Sequence, residues 1–378
     1  MDFALSEEQR MFRDMFRNFA AKDVAPHAEE IDHSERLSAE ILKKATNQGF
    51  FGATLPEEYF GAALDTLSYA LLLESLAGAC ASLAFTVAAH VSLAAMSLFH
   101  HGTAAQKEEW LPPLASGEAL GAFALTEPDA GSDISALQTR AVADGDEVVL
   151  DGVKTWVTNG ESAGLFVVFT REDAFLVPRD TPGLTVGYRE PTLGLRAATF
   201  NTIYLEGCRI PSTHRLGAPG EGLQIARRAL DRMALAVAAI GLGLATSAIE
   251  VAAQFATERV QFGVPIAKKQ AIQNYVADAH IETEALRYLV YHAAWLLEQE
   301  GELGTEAAVV KTFGARVARS VTNRMLQVMG GYGYMEDYPM ARKYRDARML
   351  SLSDVPTELQ VFRVAQRIFA DRDIAIAP

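Results

Sequence analysis

The chain has 378 residues, 49% hydrophobic and 22% charged, an ordinary globular balance with apolar material for two or three cores. Its net charge of −14 is spread along the chain, and no Lys/Arg cluster offers the basic groove that nucleic acid requires. Cys80 and Cys208 lie far apart with no His or Cys at metal-ligand spacing, so no metal site and no disulfide framework is expected, and two buried thiols suit a reducing cytoplasm.

The first residues, Met1 to Glu8, show no basic stretch followed by an apolar one, so no secretory leader is expected. Ser6-Glu7-Glu8-Gln9 has the form of a capping box, and Met11, Phe12, Met15, Phe16 and Phe19 follow at helical spacing. Helical pattern continues to about Ser116. Within it, Ser75–Phe99 is apolar but diluted by small residues, which predicts a buried helix rather than a membrane span, as does Met233–Ile249. From Gly121 the texture changes to short runs rich in β-branched and aromatic residues, Phe166–Phe169, Ala174–Val177 and Thr202–Leu205, punctuated by Asp-Gly and Pro-Gly turns. That predicts an antiparallel β domain, a barrel or sandwich. After Gly222 helices are predicted through Leu223–Thr257, Lys268–Glu298, Thr305–Met329 and Pro356–Ala370, a four-helix bundle. The expected division is residues 1–119 helical, 120–220 β and 221–378 helical, a mostly α chain with a central β domain.

Two segments of the β region stand out, Phe123-Ala-Leu-Thr-Glu-Pro-Asp-Ala-Gly-Ser-Asp133 and Lys154-Thr-Trp-Val-Thr-Asn-Gly160. By themselves they read as a strand entering a Pro/Asp/Gly turn, with amides and hydroxyls that also suit an anion. Together they resemble the flavin-contacting signatures of the acyl-CoA dehydrogenase family. Glu258-Arg-Val-Gln-Phe-Gly-Val-Pro265, Gln327-Val-Met-Gly-Gly-Tyr-Gly-Tyr334 and Tyr344-Arg-Asp-Ala347 extend the resemblance over nearly the whole chain.

The resemblance implies FAD as cofactor. Phe123, Leu125 and Thr126 would line one side of its ring, and Trp156, Val157 and Thr158 the other. A dry wall with a few fixed donors suits flavin chemistry. Arg259 and Phe262 would reach the pyrophosphate of a neighbouring subunit's FAD, with Gln270, Gln327, Gly330 and Gly331 around the adenosine. Such a shared cofactor implies a homo-oligomer, commonly a tetramer. Ser132 and Arg232 would contact the thioester substrate, and electrons would pass to an electron-transfer flavoprotein.

The pattern breaks at the catalytic base. The family's glutamate, followed by glycine and threonine, is replaced by Asp354-Val355-Pro356. Asp354 is one methylene shorter, and ahead of Pro356 it equally suits a helix start. Asp231, in Leu230-Asp231-Arg232, is the alternative base. There the family's Leu-Asp-x-x-Arg reads as shortened by two residues, and a helix-start aspartate is the plainer interpretation. The resemblance implies α,β-dehydrogenation of an acyl-CoA, with the substrate carbonyl polarised by the amide of residue 354 and by the flavin. Two relatives of that chemistry remain open: a flavin oxidase such as a nitroalkane oxidase, which uses an aspartate, and a dehydrogenase of acyl groups on a carrier protein. A non-enzymatic flavin protein would have no need of Trp156 and Thr158.

Overall fold

The computed structural model describes residues 4–370. Met1–Phe3, part of the stretch read for a leader, and residues 371–378, the end of the expected third region, lie outside them. The chain opens with helices α1 (Glu7–Phe19), α2 (Ala28–Ser34), α3 (Ala39–Asn47), α4 (Thr66–Ala79), α5 (Ala81–Ala88), α6 (Met96–His101) and α7 (Ala104–Ala115). Ser6 and Gln9 form the capping box, each side chain accepting from the other's backbone amide at 3.0 Å. The stretch Ser75–Phe99, expected to be one buried helix, is the end of α4, a break at extended Cys80, and then α5 and α6 joined through a π turn at Ala89–Ala95. Ala81–His101 and Gly222–Glu258 are long and apolar enough to cross a membrane, but 89% and 72% of their most apolar windows are covered by the protein itself. They are core helices here.

Strands follow: β1 (Leu120–Ala124), β2 (Arg140–Asp144), β3 (Glu147–Thr158), β4 (Ala163–Phe169), β5 (Ala174–Pro178), β6 (Leu184–Arg189), β7 (Phe200–Pro211) and β8 (Arg215–Leu216). They form two four-stranded sheets, ordered β1-β4-β5-β8 and β2-β3-β7-β6. Phe166, Val168 and Phe175 of the first sheet share a core with Val148, Leu150, Ile203 and Ile210 of the second, which makes the region a sandwich. The expectation of a wholly antiparallel domain needs one correction, because β1 pairs with β4 in parallel. The reason is connectivity: the whole second-sheet hairpin of β2 and β3 intervenes between them, long enough for the chain to return in the same direction.

The last region holds α8 (Gly222–Glu258), a short hairpin of β9 (Val260–Gln261) and β10 (Val264–Pro265), then α9 (Gln270–Glu300), α10 (Thr305–Met329), α11 (Gly331–Tyr334), α12 (Pro339–Met349) and α13 (Thr357–Ala370). The bundle therefore carries two helices, α11 and α12, beyond the expected four. Close helix approach depends on missing side chains: a Cβ at Gly243 of α8 would meet the Glu74 carbonyl of α4 at 2.1 Å. The motif Tyr344–Ala347 lies on α12 and acts as a fastener. Asp346, buried and pushed up to about 6 by that burial, accepts the Leu195 amide at 2.6 Å. Arg345 pairs with Asp32 and donates to the Leu193 carbonyl at 3.0 Å, and Lys343 holds the Gly78 carbonyl at 2.6 Å. One helix thus ties the β region and the first helices to the bundle.

Candidate active site

The two signature segments meet across β1 and β3. The Thr155 amide donates to the Thr126 carbonyl at 2.8 Å, and beneath this contact Lys154 and Glu127 form an ion pair at 2.7 Å, 0% and 4% exposed. Lys154 also donates to the Leu125 carbonyl at 3.0 Å, while Glu127 accepts from the amides of Gln138 at 2.6 Å and Thr139 at 2.9 Å. Burial depresses the Lys154 ammonium to about 8, partly opposed by Glu127. For Glu127 burial acts the other way, yet Lys154, Thr139 and the Gln138 amide outweigh it and hold the carboxyl below its usual value. Two of the three Lys154 donors and both Glu127 oxygens are engaged, so the pair holds the two segments in one register.

On that frame Trp156 is 61% exposed with φ 55°, at a register slip between Lys154 and Val157 where β3 pairs with β7. A bulge of this kind re-aims a side chain, and here it turns a tryptophan outward. Thr126 and Thr158 are half-buried, and Phe123 packs on Phe169 with ring centroids 4.5 Å apart. Two of the expected ring contacts are corrected by burial. The side chains of Val157, on β3, and Leu125, just past the end of β1, are packed in the cores.

A second group gathers at the ends of the bundle helices. Arg259, Phe262, Gly330 and Gly331 line a cleft of about 820 Å³ together with Lys269 and Tyr332. The Arg259 guanidinium lies 5.1 Å from the centre of the Tyr332 ring, and Phe262, with φ 55°, is 93% exposed. Gln270 opens α9 and Gln327 stands near the end of α10, both exposed beside residues of the cleft. None of the ring-wall residues lines this cleft.

The third group surrounds Asp354 in a cavity of about 270 Å³, lined by Ser132, Arg227, Asp231, Val355 and Arg363 among others. Asp354 is exposed, at the mouth of this cavity, whose walls crowd its carboxyl group. That desolvation raises its carboxyl to about 6, against the opposing influence of Lys311 and the neighbouring Ser353 hydroxyl. Asp354 has φ 59°, in the left-handed region, three residues before α13 begins. The expected helix-cap role is therefore corrected: Pro356 stands at the cap position, and its carbonyl accepts the Gln360 amide at 3.2 Å. Lys311 of α10, 1% exposed, donates to the Val355 carbonyl at 2.7 Å and fixes the loop from beneath. Burial lowers its ammonium to about 8.

Asp231 is not at a helix start, since α8 already began at Gly222 and runs through it unbroken. Its carboxylate takes a two-pronged contact from Arg363 of α13, at 2.6 and 3.0 Å. The guanidinium fork engages both carboxylate oxygens, so neither is free to meet a substrate C–H. Arg232 does not line this cavity. Neighbouring residues leave a helix about 100° apart, and Arg232 faces a different cavity with Tyr69 and Leu235. Among the described residues no cluster fit for a metal ion occurs.

The sequence reading missed Lys311, Arg363 and the roles of Glu127 and Lys154. Three of these had a signal. Lys154 shares the inward parity of Val148 and Leu150 on β3, and a lysine there needs an acidic partner, which Glu127 in the other signature supplies. Lys311 falls on the buried stripe of α10 with Ala307, Ala308, Ala315 and Ala318.

The chain matches three family descriptions, "Acyl-CoA dehydrogenase, N-terminal domain" over residues 6–118, the "middle domain" over 122–208 and the "C-terminal domain" over 220–369. It is 39% identical to a short-chain specific acyl-CoA dehydrogenase of Clostridium acetobutylicum, over 98% of this chain and 100% of that one. The solved butyryl-CoA dehydrogenase of Megasphaera elsdenii superposes with a TM-score of 0.95 at 37% identity, covering 98% of this chain and 100% of that one. A solved prolyl acyl carrier protein oxidase superposes with a TM-score of 0.93 at 29% identity, over 97% of this chain and 100% of that one. The chain belongs to the acyl-CoA dehydrogenase family of flavin-dependent oxidoreductases, enzymes that dehydrogenate acyl-CoA thioesters.

Proposed function

We propose that the chain dehydrogenates a short acyl-CoA, with Asp354 as the base that takes the α-proton and FAD as its cofactor. The carrying observation is the cavity that joins Ser132 to an unpaired carboxylate raised to about 6, close to the range a general base needs at neutral pH. The residues present suit FAD: an outward tryptophan beside Thr126 and Thr158, and a cleft with an arginine, two aromatic rings and two glycines for a dinucleotide tail. When bound, FAD supplies the hydride acceptor. Lys311 holds the base loop, the Glu127–Lys154 pair holds the ring wall, and Ser132 meets the thioester arm at the cavity wall.

The nearly naked Phe262 and the separation of the two cofactor groups support a cleft that serves the FAD of a second subunit. That sharing calls for a homo-oligomer, for which the family membership suggests a tetramer, and an electron-transfer flavoprotein is the acceptor it suggests. Similarity to the short-chain and butyryl-CoA enzymes supports a short acyl group.

The test is anaerobic addition of acyl-CoA thioesters of two to sixteen carbons to the yellow protein, with flavin absorbance followed in wild type and Asp354→Asn. Bleaching is expected with short thioesters and should slow by about 10²–10⁴-fold in the variant. Rapid bleaching of the variant would remove Asp354 from the role. Bleaching only by nitroalkanes or by carrier-tethered acyl groups would replace the substrate.

A further inference from the structure

Across α8 from the base cavity lies a second cavity, of about 240 Å³, into which Arg232 projects. Its guanidinium is poorly matched by the protein. It has five N–H donors, yet its one hydrogen bond among the described residues runs to the Gly301 carbonyl at 3.4 Å. Neither nearby acid forms an ion pair with it among the described residues. Asp231 is committed to Arg363, and Glu298, though it lines the cavity, takes the Thr66 amide at 3.1 Å and the Thr66 hydroxyl. The surroundings add positive charge, since Arg228 and Lys107 approach His100 at the same cavity and, with burial, keep that imidazole uncharged down to about pH 4.

The other walls complete a ligand shape. The Thr54 hydroxyl at the cavity is buried without a hydrogen-bond partner, and the Tyr69 and Ser92 hydroxyls, 3.0 Å apart, pair only with each other. Leu235 and Leu297 supply an apolar side. A guanidinium without such an ion pair, a spare hydroxyl and a short apolar wall describe a carboxylate on a brief aliphatic stem. The volume is below the roughly 300–1,000 Å³ of sites for drug-sized ligands, so the ligand is small.

We propose that this cavity binds a small carboxylate through Arg232. The carboxylate has two possible sources: a free organic acid, or the far end of an acyl chain whose thioester lies at Asp354. Calorimetry with adipate, hexanoate and hexanamide on the flavin-loaded protein reads the first source and stands apart from the reaction. The ratio of anaerobic bleaching rates for adipoyl-CoA and hexanoyl-CoA reads the second, and rests on the dehydrogenation reading. The expected result is adipate or hexanoate binding in preference to hexanamide, or a rate ratio favouring adipoyl-CoA. Arg232→Met should then weaken that preference at least tenfold. Arg232→Lys keeps the charge without the planar fork, so it should weaken it less and serves if the first variant fails to fold. Equal treatment of carboxylate and amide by the wild type, with no rate preference for adipoyl-CoA, overturns the proposal. So does a preference unchanged in both variants. If no thioester bleaches the flavin but carboxylates bind through Arg232, the cavity assignment stands and the dehydrogenation reading falls.

Discussion

Replacing Lys311 with methionine isolates the support of the base from the base itself. The side chain donates to the Val355 carbonyl at 2.7 Å from a site 1% exposed, directly under the residue that follows Asp354. Hydrogen bonds to charged groups contribute about 1.5–3 kcal/mol. If that grip is felt fully in the transition state, its loss slows proton removal by about 10- to 150-fold. A loop displacement of about 1 Å would cost a similar hundredfold. A second effect acts through charge. The carboxyl of Asp354 is raised to about 6 by desolvation, and Lys311 opposes that rise. With an inflection near 6, about nine-tenths of the base is ionised at pH 7. Removing the cation moves the inflection upward, so the rate at pH 7 falls further while the alkaline plateau shows the positional loss alone.

The assay is stopped-flow bleaching of the flavin between pH 5 and 9 at matched flavin content. Wild type should rise through pH 6, because only the ionised carboxylate accepts a proton, level off, and bend again as Lys311 loses its proton near pH 8. Lys311→Met should level off lower and later. An unchanged plateau with an unchanged inflection would refute the positioning argument, whatever the melting temperature does.

Three further outcomes follow from the geometry. Asp231→Asn should retain bleaching within about tenfold, since it breaks a pair with Arg363 and removes no base, whereas Asp354→Asn should lose it; the reverse order in stopped flow would exchange their roles. Lys154→Met should destabilise by about 3–5 kcal/mol, because it leaves Glu127 charged and buried, and Glu127→Gln with Lys154→Met should cost less than the sum of the single changes in urea unfolding. Arg259→Met should lower FAD content, read as the ratio of 450 to 280 nm absorbance, without lowering the melting temperature of the apoprotein.

Much of this was legible in the chain because it rests on local rules. The capping box at Ser6, the apolar stripes of α8 to α10 and the turn dipeptides between strands are short-range signals, and they yield the helical, β, helical order. The positions of Ser132, Asp354, Arg259 and Phe262 came through the resemblance, with motifs as the only pointer. What stayed hidden depends on long-range packing. Asp231 and Arg363 are 132 residues apart, and nothing local to either predicts that they meet. Likewise α11 and α12 are short, and α12 is strongly polar apart from Met340, Ala341 and Ala347, so its helical pattern is weak. Arg232, expected at the thioester, lines a different cavity from Asp231 because adjacent residues on a helix leave it about 100° apart.

The base cavity itself shows how one fold gives two like residues different tasks. Asp354 and Asp231 line the same 270 Å³ space. Arg363 claims both oxygens of Asp231, which leaves that carboxylate charged, oriented and occupied. Asp354 is free of such a fork, its exposed carboxyl crowded by the cavity walls and its loop held by Lys311 through the neighbouring Val355 carbonyl. Separation of two carboxylates by their surroundings is how acid–base roles are assigned in a site of this kind. The shorter side chain at 354 then has a structural answer. In the left-handed conformation at φ 59°, which aspartate tolerates better than most residues, the backbone turns sharply just where the carboxylate must face the cavity. Reach given up by a missing methylene can be recovered by where the loop sets the Cα, and the Lys311 contact is what fixes that setting.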